Sequence, residues 1–210
     1  MTATVRGQPP GRAGRLWLER RIGVAARGGD MLEQKLRILL AEQERFTLLS
    51  ERTAREWTAA VRDLDLWVLR AGLTGGQRGL RLASPAAEAA VDVEWQLTMG
   101  VKYPVRATCR IPDVEASAPV PDSTSVLDAR AAARRAVRAG VDHAVASAAL
   151  AAVGAEIAAT RRQARAVRRR WIPALESARD ALATALDDQE HDEAVRLRWA
   201  SDRSAREVDR

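Results

Sequence analysis

This 210-residue chain is poor in the residues that usually build thick cores and reactive sites: it has one cysteine, one phenylalanine, one tyrosine and two histidines. A single cysteine, Cys109, excludes an intrachain disulfide and is what a reducing compartment favours. The histidines, His143 and His191, lie far apart, and no Cys or carboxylate stands at metal-ligand spacing from either. No metal or other cofactor is expected. The glycines at Gly72–Gly79 match neither a phosphate loop nor a dinucleotide fingerprint. Lysine is almost missing as well. Lys35 and Lys102 are the only two, so the net charge of +6 is nearly all arginine, a bias that weakens any nucleic-acid reading. The N-terminus has no apolar core of a signal peptide. The most nearly apolar stretch, Ala144 to Ala155, falls short of the roughly 20 residues a bilayer requires, so no direct membrane insertion is expected.

What is present is alanine, charge and helical periodicity. Steps of four and three connect Leu18, Ile22, Ala25, Gly29, Leu32, Leu36, Leu39, Gln43, Phe46, Ser50, Thr53, Trp57, Ala60, Leu64, Trp67 and Ala71. This repeat of about 3.5 residues is that of a left-handed coiled coil and predicts one long helix over 13–72, about 90 Å long. Gly72, Gly75 and Gly76 are expected to end it. Gln43, Ser50 and Thr53 are polar intrusions that either fix register or face a third partner.

A second helix is predicted over 125–203, with N-cap oxygens on Asp122, Ser123 or Ser125 and Asp128 as a capping-box carboxylate. Its seam reads Val153, Ile157, Thr160, Ala164, Val167, Trp171, Ala174, Ala178, Ala181 and Ala185, then Val195 and Trp199. Pro173 interrupts the hydrogen bonding, but the period continues on both sides, so a kink is expected rather than a break. Residues 1–12 and 204–210 are assigned as tails, the first of them flexible.

Residues 73–124 form a connecting region. Val91, Val93, Trp95 and Leu97 alternate with polar residues, as do Val101, Tyr103, Val105, Ala107 and Cys109 after Met99-Gly100. This predicts a β-hairpin over about 91–109 with one apolar face, and Pro104 at an edge position. The fold class is therefore mainly α: a long antiparallel two-helix left-handed coiled coil with a small β-hairpin region between the helices.

Three stretches carry a resemblance. Arg27-Gly28-Gly29-Asp30-Met31-Leu32-Glu33-Gln34-Lys35 is similar to a Gly-x-Asp-Leu-Leu-Lys-x-Lys pattern, with Lys35 kept and the rest of the lysine-rich face replaced. Val93 to Asp113 sits where the same family has a short strand pair. The long C-terminal segment resembles the family's last helix through Ile157, Thr160-Arg161-Arg162, Val167, Ile172-Pro173 and Arg196-Leu197. Together they resemble the D subunit, the central-stalk shaft, of V-type and archaeal-type (V/A-type) rotary ATPases, over about residues 12–203.

The resemblance implies a non-catalytic central rotor shaft that couples ATP hydrolysis or synthesis in a catalytic head to ion translocation through a membrane ring. The implied partners are the catalytic and non-catalytic head subunits, the small F subunit of the stalk and the funnel subunit of the membrane ring. The implied location is cytoplasmic, peripheral to the membrane. Candidate partner-binding residues are Trp17 and Trp199 near the chain ends, Arg161, Arg162, Arg165 and Arg169 in the basic run, and Val93, Trp95, Tyr103 and Val105 on the hairpin. For the arginines the alternative is a solvated face, and for the hairpin residues it is packing within the chain. A free-standing coiled-coil adaptor or DNA-associated helical protein is the competing function.

Overall fold

The computed structural model describes residues 7, 9–82, 84, 87–113 and 123–208. In chain order they form helix α1 (Gly11–Leu82), strands β1 (Ala90–Thr98) and β2 (Val101–Arg110), helix α2 (Thr124–Ala166), a π turn (Val167–Trp171) and helix α3 (Ile172–Val208). The protein is mainly helical, with a two-stranded antiparallel hairpin between the helices in sequence. The chain divides into two compact units, one made of the segment up to Leu36 and that from Ala159 onward, the other of Arg37–Ala158.

In the first unit the start of α1 lies antiparallel to the end of α2, the π turn and α3. Arg12 meets Glu190, Gly14 faces Leu182, and Asp30 meets Arg168, so partner numbers fall on one side as they rise on the other. Leu18, Ala25, Leu175 and Ala178 form the core, flanked by Trp17, Ile22, Val167, Ile172 and Leu182.

The seam expected across Pro173 differs from the one observed. Trp171 is 46% exposed and Ala174 faces solvent, whereas Ile172 packs on the core and Leu175 is fully buried. The reason is the π turn. The Ile172 backbone N–H donates to the Val167 carbonyl, five residues back, so this turn holds one residue more than an α turn. The buried stripe therefore steps from Val167 to Ile172 rather than to Trp171. Widening the turn just before Pro173 also opens the site where the ring would meet the carbonyl four residues earlier, so the helical path continues through the proline.

In the second unit, α1 and α2 again run antiparallel. Ser50 meets Ser147, Thr53 meets His143, Asp63 meets Arg135, and Thr74 meets Ser123. Leu39, Phe46 and Ala71 are buried on α1. The α2 face is mostly alanine: Val126, Ala129, Ala132, Ala136, Ala146, Ala149, Val153 and Ile157. Small side chains allow close approach, and at Gly140 a side chain would lie 3.2 Å from the Trp57 indole nitrogen. Trp57, expected in the seam, is 42% exposed and stacks on His143 instead, with ring centroids 5.5 Å apart.

Helix α1 does not end at Gly72. Its regular dihedrals are broken only at Gly76 (φ 62°, ψ −176°), after which the chain resumes helix to Leu82. A conformation with positive φ costs glycine little, so the interruption falls there. Helix α2 is capped by Ser123, whose Oγ accepts from the Ser125 backbone N–H at 3.2 Å. Asp122, the other flanking candidate, lies outside the described residues, as do residues 1–6 of the expected N-terminal tail. Residues 204–208 of the expected C-terminal tail belong to α3.

The hairpin turns at Met99-Gly100, both with positive φ (50° and 80°), as a two-residue loop matching the strand twist requires. Its register pairs Glu94 with Arg106 but Trp95 with Pro104, leaving Val105 as an extra residue in a bulge. The bulge overturns the single apolar face. Residues opposite one another share a face, so Val91, Val93, Trp95 and Leu97 lie with Cys109, Ala107, Pro104 and Lys102. Val101 and Tyr103 lie on the other face and are buried. Pro104, which has no N–H for the ladder, sits next to the irregularity.

Candidate interaction surfaces

Each expected contact residue has a definite place. Tyr103 is turned inward. Its ring meets Phe46 edge-on at 5.0 Å and its hydroxyl lies 2.8 Å from Thr98 Oγ1, so its role is to seat the hairpin on α1. The base of the hairpin is tied to α2 by Arg134, which donates to the Pro112 carbonyl (2.9 Å) and to the Asp113 carboxylate. The Arg134 guanidinium holds the Asp113 carboxyl below its ordinary pKa, through the hydrogen bond first and charge second.

Val93 and Trp95 face outward, Trp95 being 56% exposed with Lys102 Nζ 5.1 Å from its ring centroid. Val105 lies at the bulge and is partly exposed. The outer face of the hairpin is thus an apolar strip, Val91, Val93, Trp95 and Leu97, left open by the rest of the second unit.

The basic run divides. Arg161, Arg162, Arg165 and Arg169 are exposed, without an ion pair among the described residues. Arg168, by contrast, crosses to α1 and meets both Asp30 and Glu33 at 2.8 Å. Arg168 is not among the arginines singled out from the sequence. The signal that separates it is two acidic residues, one helical turn apart, at the opposing register position of α1.

The two tryptophans near the chain ends differ as well. Trp17 packs beside Leu18 on the core of the first unit, with the Arg21 guanidinium 4.6 Å from its ring centroid. Trp199 is 77% exposed on the part of α3 beyond Glu190, where every described side chain to Ala200 is exposed. The Arg12–Glu190 contact marks where the α1 partner ends, and Glu190 raises the Arg12 pKa by hydrogen bond and charge.

One cluster has the composition of a catalytic site. His143 lies 3.2 Å from Thr53 Oγ1 through Nδ1 and 3.4 Å from Ser147 Oγ through Nε2, with Ser50 a further 3.4 Å away. These groups sit between the two helices, under Trp57, and Thr53 also donates to the Leu49 carbonyl at 3.0 Å. A hydroxyl between paired helices and bonded to its own backbone is a register pin rather than a nucleophile presented to substrate. Among the described residues, no three His, Cys, Asp or Glu side chains gather as metal ligands.

By length and composition alone, the helical stretch Thr124–Ser201 contains an 18-residue window apolar enough to cross a membrane, with mean hydropathy 1.4. Much of the apolar character of α2 is alanine, and Ala146, Ala149, Val153 and Ile157 are buried against α1. Of that window, 28% is buried inside the chain.

Antiparallel helix pairs with alanine-rich seams, outward Trp and Arg side chains and an open hairpin face define a mainly helical protein with exposed apolar and basic surfaces. The family model described as the ATP synthase D subunit matches residues 16–202. The V-type ATP synthase D subunit of Anaeromyxobacter dehalogenans (strain 2CP-1 / ATCC BAA-258) is 32% identical over 192 residues, covering 89% of this chain and 92% of that protein. That of Anaeromyxobacter sp. (strain K) is 31% identical over the same coverage. The chain belongs to the D-subunit family of ATP synthases, which are rotary ATPases.

Proposed function

We propose that this chain is the central rotor shaft of a V-type ATP synthase and transmits torque between a nucleotide-hydrolysing head and an ion-translocating membrane ring. The observation that carries the reading is the division between seam and surface. Apolar and small side chains are spent on pairing two long helices, while Trp, Arg and Val side chains are presented outward where partner subunits would engage them. The end of α3, with Val195, Leu197 and Trp199 exposed, enters the head of catalytic and non-catalytic subunits. The outer hairpin strip around Val93 and Trp95 meets the F subunit of the stalk or the funnel subunit above the membrane ring. The shaft itself carries no catalysis. It biases each nucleotide site only through contacts that differ between site conformations. Its place is peripheral to the membrane, as part of the bound complex.

The test is removal of residues 191–210 from the chain in the assembled complex. The expected result is ATP hydrolysis that no longer drives ion transport. A truncated complex that pumps at the wild-type ratio of ions to ATP refutes the shaft reading.

A further inference from the structure

We infer that the apolar cleft at the base of the hairpin binds a small amphiphile with one acyl tail and one carboxylate, a fatty acid in chemical class. The cleft has a volume of about 440 Å³ and lies wholly within the second unit, where the end of α1, the exit of β2 and the first turns of α2 meet. Small-molecule sites usually measure about 300–1,000 Å³. Its origin is local. Gly76 breaks the regular path of α1, and the flanking Gly75 and Gly79 bring the backbone against Val126: a Cβ there would lie 3.1 and 3.5 Å from Val126 Cγ2. Beside this close approach α2 offers only Ala129 and Ala133, too small to fill the space that Leu64, Val68 and Leu80 leave opposite them.

The charged groups lining the cleft are of one sign and stand together. Arg130 and Arg134 lie one helical turn apart on α2, with side chains only about a quarter exposed (27% and 28%). Both turn toward the Asp113 carboxylate, whose side chain is 82% exposed, so two guanidinium groups share one carboxylate that lies mostly in water. Arg134 donates to it, but Arg130 stands 3.6 Å away, beyond hydrogen-bond length. The rim therefore carries excess positive charge, and among the described residues the Arg130 fork has no closer carboxylate. A planar guanidinium fork matches a carboxylate head, and the aliphatic walls beside it match an acyl tail. Sugars and nucleotides would leave polar groups unpaired against Leu64, Val68 and Leu80, and a metal ion would face two arginines. The site does not depend on the shaft reading, because its walls and its charge all come from this one unit.

The test titrates decanoate, octanoate and decyltrimethylammonium, each below its micelle concentration, into the full-length chain by calorimetry, with thermal melts alongside. The expected result is saturable binding of one decanoate per chain and a raised melting midpoint. Octanoate should bind more weakly, by up to about fourfold for each methylene lost, and the cation should not bind. Ala133→Leu, which fills the cleft, should abolish binding while helix content is kept. Arg130→Gln should weaken decanoate binding roughly tenfold. Binding of the cation as tight as that of decanoate, binding retained by a folded Ala133→Leu chain, or an affinity unchanged by Arg130→Gln overturns the site. So does the absence of saturable binding, the result expected if another part of the chain fills the cleft. Should Ala133→Leu fail to fold, Arg130→Gln and the cation decide the matter.

Discussion

Replacing Leu175 and Trp171 separately by alanine tests the rephased seam of the first unit. A regular coiled-coil repeat buries Trp171 and Ala174 and leaves Leu175 outside, so under that reading Trp171→Ala is the damaging change. The structure reverses the order. Leu175 is fully buried among Leu18, Ala25 and Ala178, whereas Trp171 is nearly half exposed. Truncating Leu175 removes three buried carbons, which at about 0.8 kcal/mol each gives roughly 2.4 kcal/mol. The cavity term adds little, because a pair of helices with water at both flanks collapses more readily than a globular core. Trp171→Ala loses a solvent-exposed cation–π contact and some surface packing, about 1 kcal/mol or less. Urea unfolding followed by circular dichroism should separate the two variants by more than about 1 kcal/mol, roughly a factor of five to thirty in the folding equilibrium. Should Trp171→Ala destabilise as much as Leu175→Ala, the extra residue in the turn does not exist in solution and the seam is the regular one.

Other expectations follow from the same contacts. Since the π turn is equivalent to a one-residue insertion, deleting Arg169 together with Pro173→Ala should leave a folded helix with α3 in register, whereas deleting Ala178 should unfold the first unit; thermal melts distinguish them. Thr53→Val strips His143 Nδ1 of its partner and should cost about 1 kcal/mol in urea unfolding, with the double change Thr53→Val/His143→Leu recovering most of it. Tyr103→Ala should cost about 3 kcal/mol and expose the hairpin to hydrogen exchange, while Trp95→Ala leaves stability within about 0.5 kcal/mol and weakens assembly with the stalk partner. Asp113 has a depressed carboxyl pKa in the folded state, so its contribution is present above the ordinary carboxylate range and is lost as pH falls through the lowered value. Urea midpoints of wild type and Asp113→Asn should therefore differ near neutral pH and converge in strong acid. The difference is small, because the pair is open to solvent.

Much of this architecture was legible in the sequence, and two of the departures share one cause. The stripe from Leu18 through Phe46 to Ala71 follows a constant pitch, and a constant pitch is what periodicity detects. The π turn before Pro173 and the bulge at Val105 each add one residue without changing the local composition. Each shifts the phase of the side chains next to it, so Trp171 and Ala174 give way to Ile172 and Leu175 in the seam, and Val101 and Tyr103 lie on the face opposite Val91, Val93, Trp95 and Leu97. Pro173 announced a disturbance but not its sign. The aliphatic alternates, Ile172 and Leu175 against Trp171 and Ala174, show how the turn resolves it. Aliphatic side chains of moderate volume fill a seam between close helices better than an indole does. Polar contacts across the seam were harder to see. His143 gains its meaning only from Thr53 and Ser147, and Arg168 only from Asp30 and Glu33, so neither is recognisable before the antiparallel register is known. The outward side chains follow from the same division. A seam lined largely with alanine holds few large residues, so Trp95, Leu97, Leu197 and Trp199 are among the large apolar side chains left exposed on the surface.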